Sequence, residues 1–177
     1  MPEPINSSEL FAADKEALFT QLYSAVWQDL YRYAYYVLGN RMDAEDAVQE
    51  AALRGYSGLH NLRGIESFKA WMFKILSVCC KRRLTQIINI RQAEQSDEIL
   101  ATVPAEDTDL TRAIELRERL AELPPDDRGI VVLSIVGGYK SNEIAAVFDI
   151  SPGTVRSRLS RALSKLRVSI EREENVI

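Results

Sequence analysis

The chain has 177 residues, 46% of them hydrophobic, and a net charge of −4, which suits one globular domain or two small ones. No apolar run is long enough to span a bilayer, and no basic segment followed by an apolar core opens the chain. Two adjacent cysteines, Cys79 and Cys80, and a single histidine, His60, offer no disulfide framework and no metal-ligand set, so the chain reads as soluble and cytoplasmic, with no membrane insertion, no cofactor and no metal.

The charge falls in blocks. Residues 1–53 carry 3 basic and 9 acidic side chains, 54–91 carry 8 and 1, 94–127 carry 3 and 11, and 128–177 carry 8 and 5. Two basic blocks flank an acidic one. A basic stripe matters more than net charge for a nucleic-acid binder, so the pattern predicts two DNA contacts.

Residues 1–11 are polar with two prolines and read as a frayed terminus. Helical periodicity then predicts one long helix from about Ala13 to Leu38, with Leu18, Leu22, Val26, Leu30, Tyr33 and Val37 inward. Gly39-Asn40 should end it. Tyr31, Tyr33, Tyr35 and Tyr36 are expected to pack, not to stack on bases. Asp43 is the expected N-cap of the next helix, with Asp46 three residues on, and Ala47, Val48, Ala51 and Tyr56 inward. Asp43, Glu45, Asp46, Gln49 and Glu50 stay outside. A helix dipole accounts for the first acids. Gln49 and Glu50 lie further along, where an acidic ridge can dock a basic partner.

Residues 57–66 read as a loop with two glycines. Ser67 is placed to cap a further helix with Phe68, Trp71, Met72, Ile75 and either Val78 or Cys79 inward. Lys69, Lys74, Lys81, Arg82 and Arg83 lie on its outer face and tail. Residues 92–111 are acidic, poor in aromatics and broken by Pro104, and read as a linker. A helix through Leu116 and Leu120 should end at Leu123-Pro124, and another from Pro125 should end at Gly137-Gly138.

The last stretch, 141–167, reads as two short helices joined by a tight turn. Asn142 to Phe148 form the first, with Ile144, Ala145 and Phe148 inward. Asp149 takes the turn, since Asp tolerates a left-handed conformation better than most residues. Ser151 is an expected N-cap and Pro152 an expected first helical residue. Val155, Leu159, Ala162, Leu166 and Ile170 recur as the buried stripe of the second helix. Its polar face carries Thr154, Arg156, Ser157, Arg158, Ser160, Arg161 and Lys165, with no acid from Pro152 to Ile170. Small residues Ser151, Gly153 and Thr154 open the helix, where backbone amides can approach phosphate. This is a helix-turn-helix, whose second helix enters the major groove. No strand pattern competes, so the fold class is all-α.

The motifs taken together, DAEDAVQE at 43–50, LRGIESFKAWMFKI at 62–75, LPPDDR at 123–128, GYKSNEIA at 138–145 and GTVRSRLSRALSKLR at 153–167, resemble bacterial extracytoplasmic-function (ECF) sigma factors of the sigma-70 family. The resemblance spans residues 14–170. It implies a region 2 domain over 12–91, the acidic linker over 92–111 and a region 4 domain over 112–174. It implies core RNA polymerase as partner, with Asp43, Glu45, Asp46, Gln49 and Glu50 matching the part that docks on the coiled coil of the largest subunit. Promoter DNA is the second implied partner. His60, Asn61, Leu62, Arg63, Gly64 and Ile65 match a loop that receives a flipped single-stranded base of the minus-ten element, and Lys69, Lys74, Lys81, Arg82 and Arg83 would hold its phosphates. On minus-thirty-five duplex, Arg156, Ser157, Ser160 and Arg161 are the candidates for base edges. Arg158 and Lys165 are the candidates for phosphate, and Ser151, Gly153 and Thr154 lie at the approach. An anti-sigma factor is a further implied partner.

Two other classes of protein make different demands on the sequence. A stand-alone helix-turn-helix regulator would normally dimerise on a palindrome and has no use for the motifs within 43–91. An enzyme would need a phosphate loop, a metal set or a nucleophile–base pair, none of which is legible.

Overall fold

A computed structural model describes residues 7–94 and 108–174, with side chains over 14–90 and 115–168. Among the described residues there are helices and no strands.

The expected long first helix is two helices, α1 (Ser7–Ser24) and α2 (Trp27–Leu38). The break falls at Ala25-Val26, where Val26 has φ −122° and ψ −13°. No glycine or proline marks it. Val26 is buried at the corner, and the Ser24 hydroxyl donates to the Gln21 carbonyl at 2.9 Å, a side-chain bond of the kind that competes with regular helix. The break resets the helical phase. Leu18, expected inside, is exposed, and Phe19 takes the core position. Leu30, Tyr33, Ala34, Val37 and Leu38 form the buried stripe of α2. Gly39, left-handed at φ 83°, ends it by donating its N–H to the Tyr35 carbonyl.

Helix α3 (Arg41–Gly58) is capped by Asn40, not by Asp43. The Asn40 Oδ1 accepts the Asp43 N–H at 2.8 Å, so Asp43 sits where a capping-box acid would. Its inner face is thin: Ala44, Ala47, Val48, Ala51 and Gly55. That lets α4 (Phe68–Glu94) lie close. Phe68, Met72, Phe73, Leu76, Cys79, Cys80 and Leu84 of α4 are buried, whereas Val78 is exposed. Phe73 and Leu76 were not foreseen, and Trp71 and Ile75 are half-buried. Each large apolar side chain here stabilises the fold by about 1.5–3 kcal/mol. Ser67 does not cap α4 as expected. Its hydroxyl donates to the Gly64 carbonyl at 2.7 Å. Burial pushes both cysteine thiols up in pKa.

Helix α4 reaches Glu94 and α5 (Thr108–Ala121) begins within the stretch read as linker. Residues 95–107, most of that linker, lie outside the described residues. Helix α6 (Pro125–Val131) widens into a π-helical turn over Val132–Val136 before Gly137, a feature no sequence signal announced. Helices α7 (Ser141–Phe148) and α8 (Pro152–Glu174) follow. Leu120, Leu123, Ile130, Leu133, Ile144, Val147, Val155 and Ala162 are their shared core.

The C-terminal helices pack on the N-terminal ones. Helices α6 and α7 lie on α4, and α5 and α6 lie on α2. Arg128 joins the two sets. Its guanidinium is buried, donating to the Val37 carbonyl at 2.6 Å, to Ala121 at 2.9 Å and to Leu123 at 3.2 Å. Burial lowers its pKa from the ordinary value, yet arginine stays charged in proteins. Gly129 beside it leaves room for two rings. A Cβ there would stand 2.6 Å from Tyr33 Oη and 2.8 Å from Phe148 Cζ.

Candidate nucleic-acid and polymerase interfaces

The helix-turn-helix is built as its sequence suggests. Asp149 adopts φ 53° and ψ 43°, and its N–H donates to the Ala145 carbonyl. Ser151 Oγ accepts the Thr154 N–H at 3.0 Å, and Pro152 opens α8. Val155 and Ala162 are buried, and Leu159 and Leu166 are packed against the core. The side chain of Ile170 lies outside the described residues. Ser151, Gly153, Arg156, Ser157, Ser160, Arg161 and Lys165 are exposed, and Thr154 is half-buried. Arg156, Arg161 and Lys165 form no ion pair among the described residues. Arg158 differs: it is half-buried, with its Nε 3.3 Å from Asp127.

Every candidate cation on α4 is engaged. Lys69 donates to Asp29 at 2.8 Å. Lys74 pairs with Asp149, in the turn before α8. Lys81 lies 3.2 Å from Asp126 of α6. Arg82 pairs with Glu50, and Arg83 with Asp43 and Asp46. The acidic ridge of α3 and the basic tail of α4, read as separate sites in the sequence, are thus neighbours. Glu50 also accepts from Arg54 at 2.9 Å, and Glu45 from Arg41 at 2.7 Å. Gln49 and Asp46 are exposed. Exposed ion pairs of this kind stabilise little, about 0–1 kcal/mol each.

Tyr139 was not foreseen at this surface. It comes from the turn before α7, yet its ring packs edge-on against Phe73 of α4, with centroids 5.4 Å apart. Lys69 Nζ lies 4.9 Å over the same ring. The Lys69 hydrogen bond is the main cause that lowers the Asp29 pKa, with partial burial opposing. For Lys69, desolvation pulls the pKa down, but hydrogen bonds to Asp29 and Tyr139 prevail and raise it.

The loop ahead of α4 is a pair of tight 3-10 turns, Leu59–Asn61 and Ile65–Ser67. His60, Asn61, Arg63 and Ile65 are exposed, and Gly64 is half-buried. Leu62 packs against the core and is the one candidate of this loop turned inward. The Ser67 N–H and hydroxyl both donate to the Gly64 carbonyl, at 3.1 and 2.7 Å, which fixes the loop's shape.

An all-helical body that ends in a capped, basic helix-turn-helix is the architecture of a DNA-binding protein. Residues 22–87 match the family model for sigma-70 region 2, and residues 113–166 match sigma-70 region 4. The RNA polymerase sigma factor SigV of Bacillus subtilis is 32% identical over 147 residues, which is 83% of this chain and 87% of that protein. The ECF RNA polymerase sigma factor SigL of Mycobacterium tuberculosis is 29% identical, over 90% of this chain and 93% of its own length. Among solved structures, the sigma factor RpoE in complex with the anti-sigma factor NepR from Bartonella quintana superposes with a TM-score of 0.66 at 25% identity, covering 86% of this chain and 96% of that one. CnrH in complex with the cytosolic domain of CnrY shares the fold at a TM-score of 0.68, covering 92% and 96%. The chain belongs to the ECF RNA polymerase sigma factors. Among the described residues, no helix is long and apolar enough to cross a membrane.

Proposed function

We propose that this sigma factor uses its two basic helices on different forms of promoter DNA. In this reading α8 enters the major groove of the minus-thirty-five duplex, where Arg156, Ser157, Ser160 and Arg161 meet base edges. Arg158 and Lys165 meet phosphate, and Ser151, Gly153 and Thr154 bring the helix start close to the backbone. The loop 60–65 takes a flipped nontemplate base of the minus-ten element. Lys69, Lys74, Lys81, Arg82 and Arg83 hold the strand around it. Asp43, Glu45, Asp46, Gln49 and Glu50 dock on the coiled coil of the polymerase's largest subunit. The factor positions the polymerase and performs no chemistry itself, and it works in the cytoplasm. An anti-sigma factor is a proposed further partner, supported by the RpoE complex with NepR.

One observation carries the reading: α8 presents Arg156, Arg161 and Lys165 without acid partners among the described residues, behind a Ser151-capped N-terminus, while Val155 and Ala162 anchor the opposite face. The test adds the purified protein to bacterial core RNA polymerase and maps transcripts from a genomic fragment library. Start sites that depend on the protein, with shared motifs at both upstream positions, are the expected outcome. Failure to bind polymerase, with tight binding to a palindromic duplex by the protein alone, would overturn it in favour of a stand-alone regulator.

A further inference from the structure

Among the described basic side chains of α8, Arg158 alone is half-buried; Arg156, Arg161, Lys165 and Arg167 are exposed. Arg158 also has an acid beside it, and the others have none among the described residues. Its Nε lies 3.3 Å from Asp127 Oδ1, across the contact of α8 with α6. Both side chains are largely covered, at 30% and 24% exposure. The Asp127 Oδ1 atom is shut off from solvent and accepts no hydrogen bond, so the nearby guanidinium is the charge that compensates it. A carboxylate left alone there would be costly.

The pair engages one edge of Arg158. The terminal nitrogens Nη1 and Nη2 make no hydrogen bond among the described residues, which leaves the fork of the guanidinium to a phosphate. A helix dipole alone does not account for Asp127. Asp126 stands beside it in the first turn of α6 and serves the dipole equally, yet its partner is Lys81 of α4, 3.2 Å away. The two neighbouring acids thus share a local role and differ in their distant partners.

Phosphate contacts fix register and orientation, whereas non-specific attraction to DNA follows net charge. An arginine free in solvent brings its whole charge and loses rotamer freedom on binding. One held beforehand has already lost that freedom, and one beside a carboxylate brings little net charge. We infer that Asp127 is a positioning residue for promoter DNA: it holds Arg158 by one edge so that the other meets a single phosphate, and its charge cancels the attraction the arginine would lend to any duplex. The inference rests on the reading of α8 given under Proposed function. It assigns Asp127 to promoter selectivity, not to affinity.

The test titrates holoenzyme, assembled from core polymerase and the full-length protein, against two duplexes over a salt series. One carries the minus-thirty-five element that transcript mapping supplies, and the other has that element scrambled. Asp127→Asn should tighten binding to the scrambled duplex and steepen the slope of log K against log salt by up to about one. The ratio of affinities for the two duplexes should fall about fivefold, the worth of one hydrogen bond. Asp126→Asn removes an equal charge from the same turn but leaves Arg158 paired, so the ratio should stay. Arg158→Lys commits its one nitrogen to Asp127 and has no second edge, so the ratio should fall with the salt slope unaltered. In an Arg158→Ala background, Asp127→Asn should shift both duplexes together. An unaltered ratio in Asp127→Asn overturns the proposal; where that variant fails to bind polymerase, an unaltered ratio in Arg158→Lys does the same. An equal fall in Asp126→Asn also overturns it, as an effect of charge or of α6 stability, and so does a further fall in the Arg158→Ala background. If wild-type holoenzyme does not distinguish the two duplexes, the reading of α8 itself fails and the role of Asp127 falls with it. Discrimination that these variants leave intact removes only Asp127.

Discussion

Helices α4 and α8 both carry a row of basic side chains, yet the charges of the two rows stand in opposite states. On α4 each candidate cation has an acid beside it, contributed by α2, α3, α6 and the turn before α8. On α8, Arg156, Arg161 and Lys165 have none among the described residues. A run of basic residues therefore does not by itself measure readiness for DNA. Two of these acids come from the C-terminal half: Asp126 of α6 engages Lys81, and Asp149 of the turn before α8 engages Lys74.

The largest expected effect comes from removing the residue that joins the two sets. Arg128→Ala should cost about 3–5 kcal/mol, because three carbonyls lose a buried charged donor. Urea unfolding measures it, and Arg128→Lys should recover only part, since an ammonium lacks the planar fork. A loss below about 1 kcal/mol would mean that water replaces the guanidinium.

Next is Arg156→Ala on the unpaired helix. It should cost about 1–3 kcal/mol of promoter binding by the polymerase complex and relax one minus-thirty-five position. Unfolding should shift by less than about 0.5 kcal/mol, as for an ordinary surface change. Unchanged promoter strength and selection would remove Arg156 from the base edge.

A smaller change tests the paired helix. Asp149→Asn keeps a residue that tolerates the left-handed turn and takes the acid away from Lys74. Exposed pairs are worth about 0–1 kcal/mol, so the free protein should bind a nontemplate oligonucleotide up to about fivefold more tightly at low salt, with a steeper salt dependence. Anisotropy titrations at two salt concentrations read both. No change in either would show that Lys74 does not meet the strand.

The smallest effect is one of pH. The Asp29 carboxyl titrates below its ordinary value because of Lys69, so the pair's contribution is complete above about pH 4 and is lost as pH falls through the lowered value. Asp29→Asn should flatten that part of the stability curve, measured by thermal melts from neutral to acid pH.

Much of this was legible in the sequence because it is local. Ser151, Pro152 and Asp149 sit within a few residues of the bonds they make, and the stripe of Val155 and Ala162 follows from helical spacing alone. Gly39 announced its own cap. The errors are where a neighbour competes or a distant residue decides. Asn40 and Asp43 are both good caps, and the left-handed Gly39 places Asn40 first. The corner at Val26 depends on tertiary burial, so the periodic pattern ran through it. Arg128 closes the LPPDDR motif, where nothing local announces its burial. Its burial needs Val37, 91 positions earlier in the chain. The pairing of the α3 acids with Arg82 and Arg83 is likewise a product of two helices lying side by side. Tyr139 at the α4 surface had no signal at all.

The buried cysteines have a practical consequence. Cys79 and Cys80 face the centre of the N-terminal core with raised thiol pKa values, so in the folded protein they present neither access nor thiolate to an alkylating reagent. Their modification rate is then a clock for opening of α4, and it runs on the native sequence. A single cysteine introduced on α8 would label orders of magnitude sooner, giving one dye on one known helix without first deleting the natural thiols.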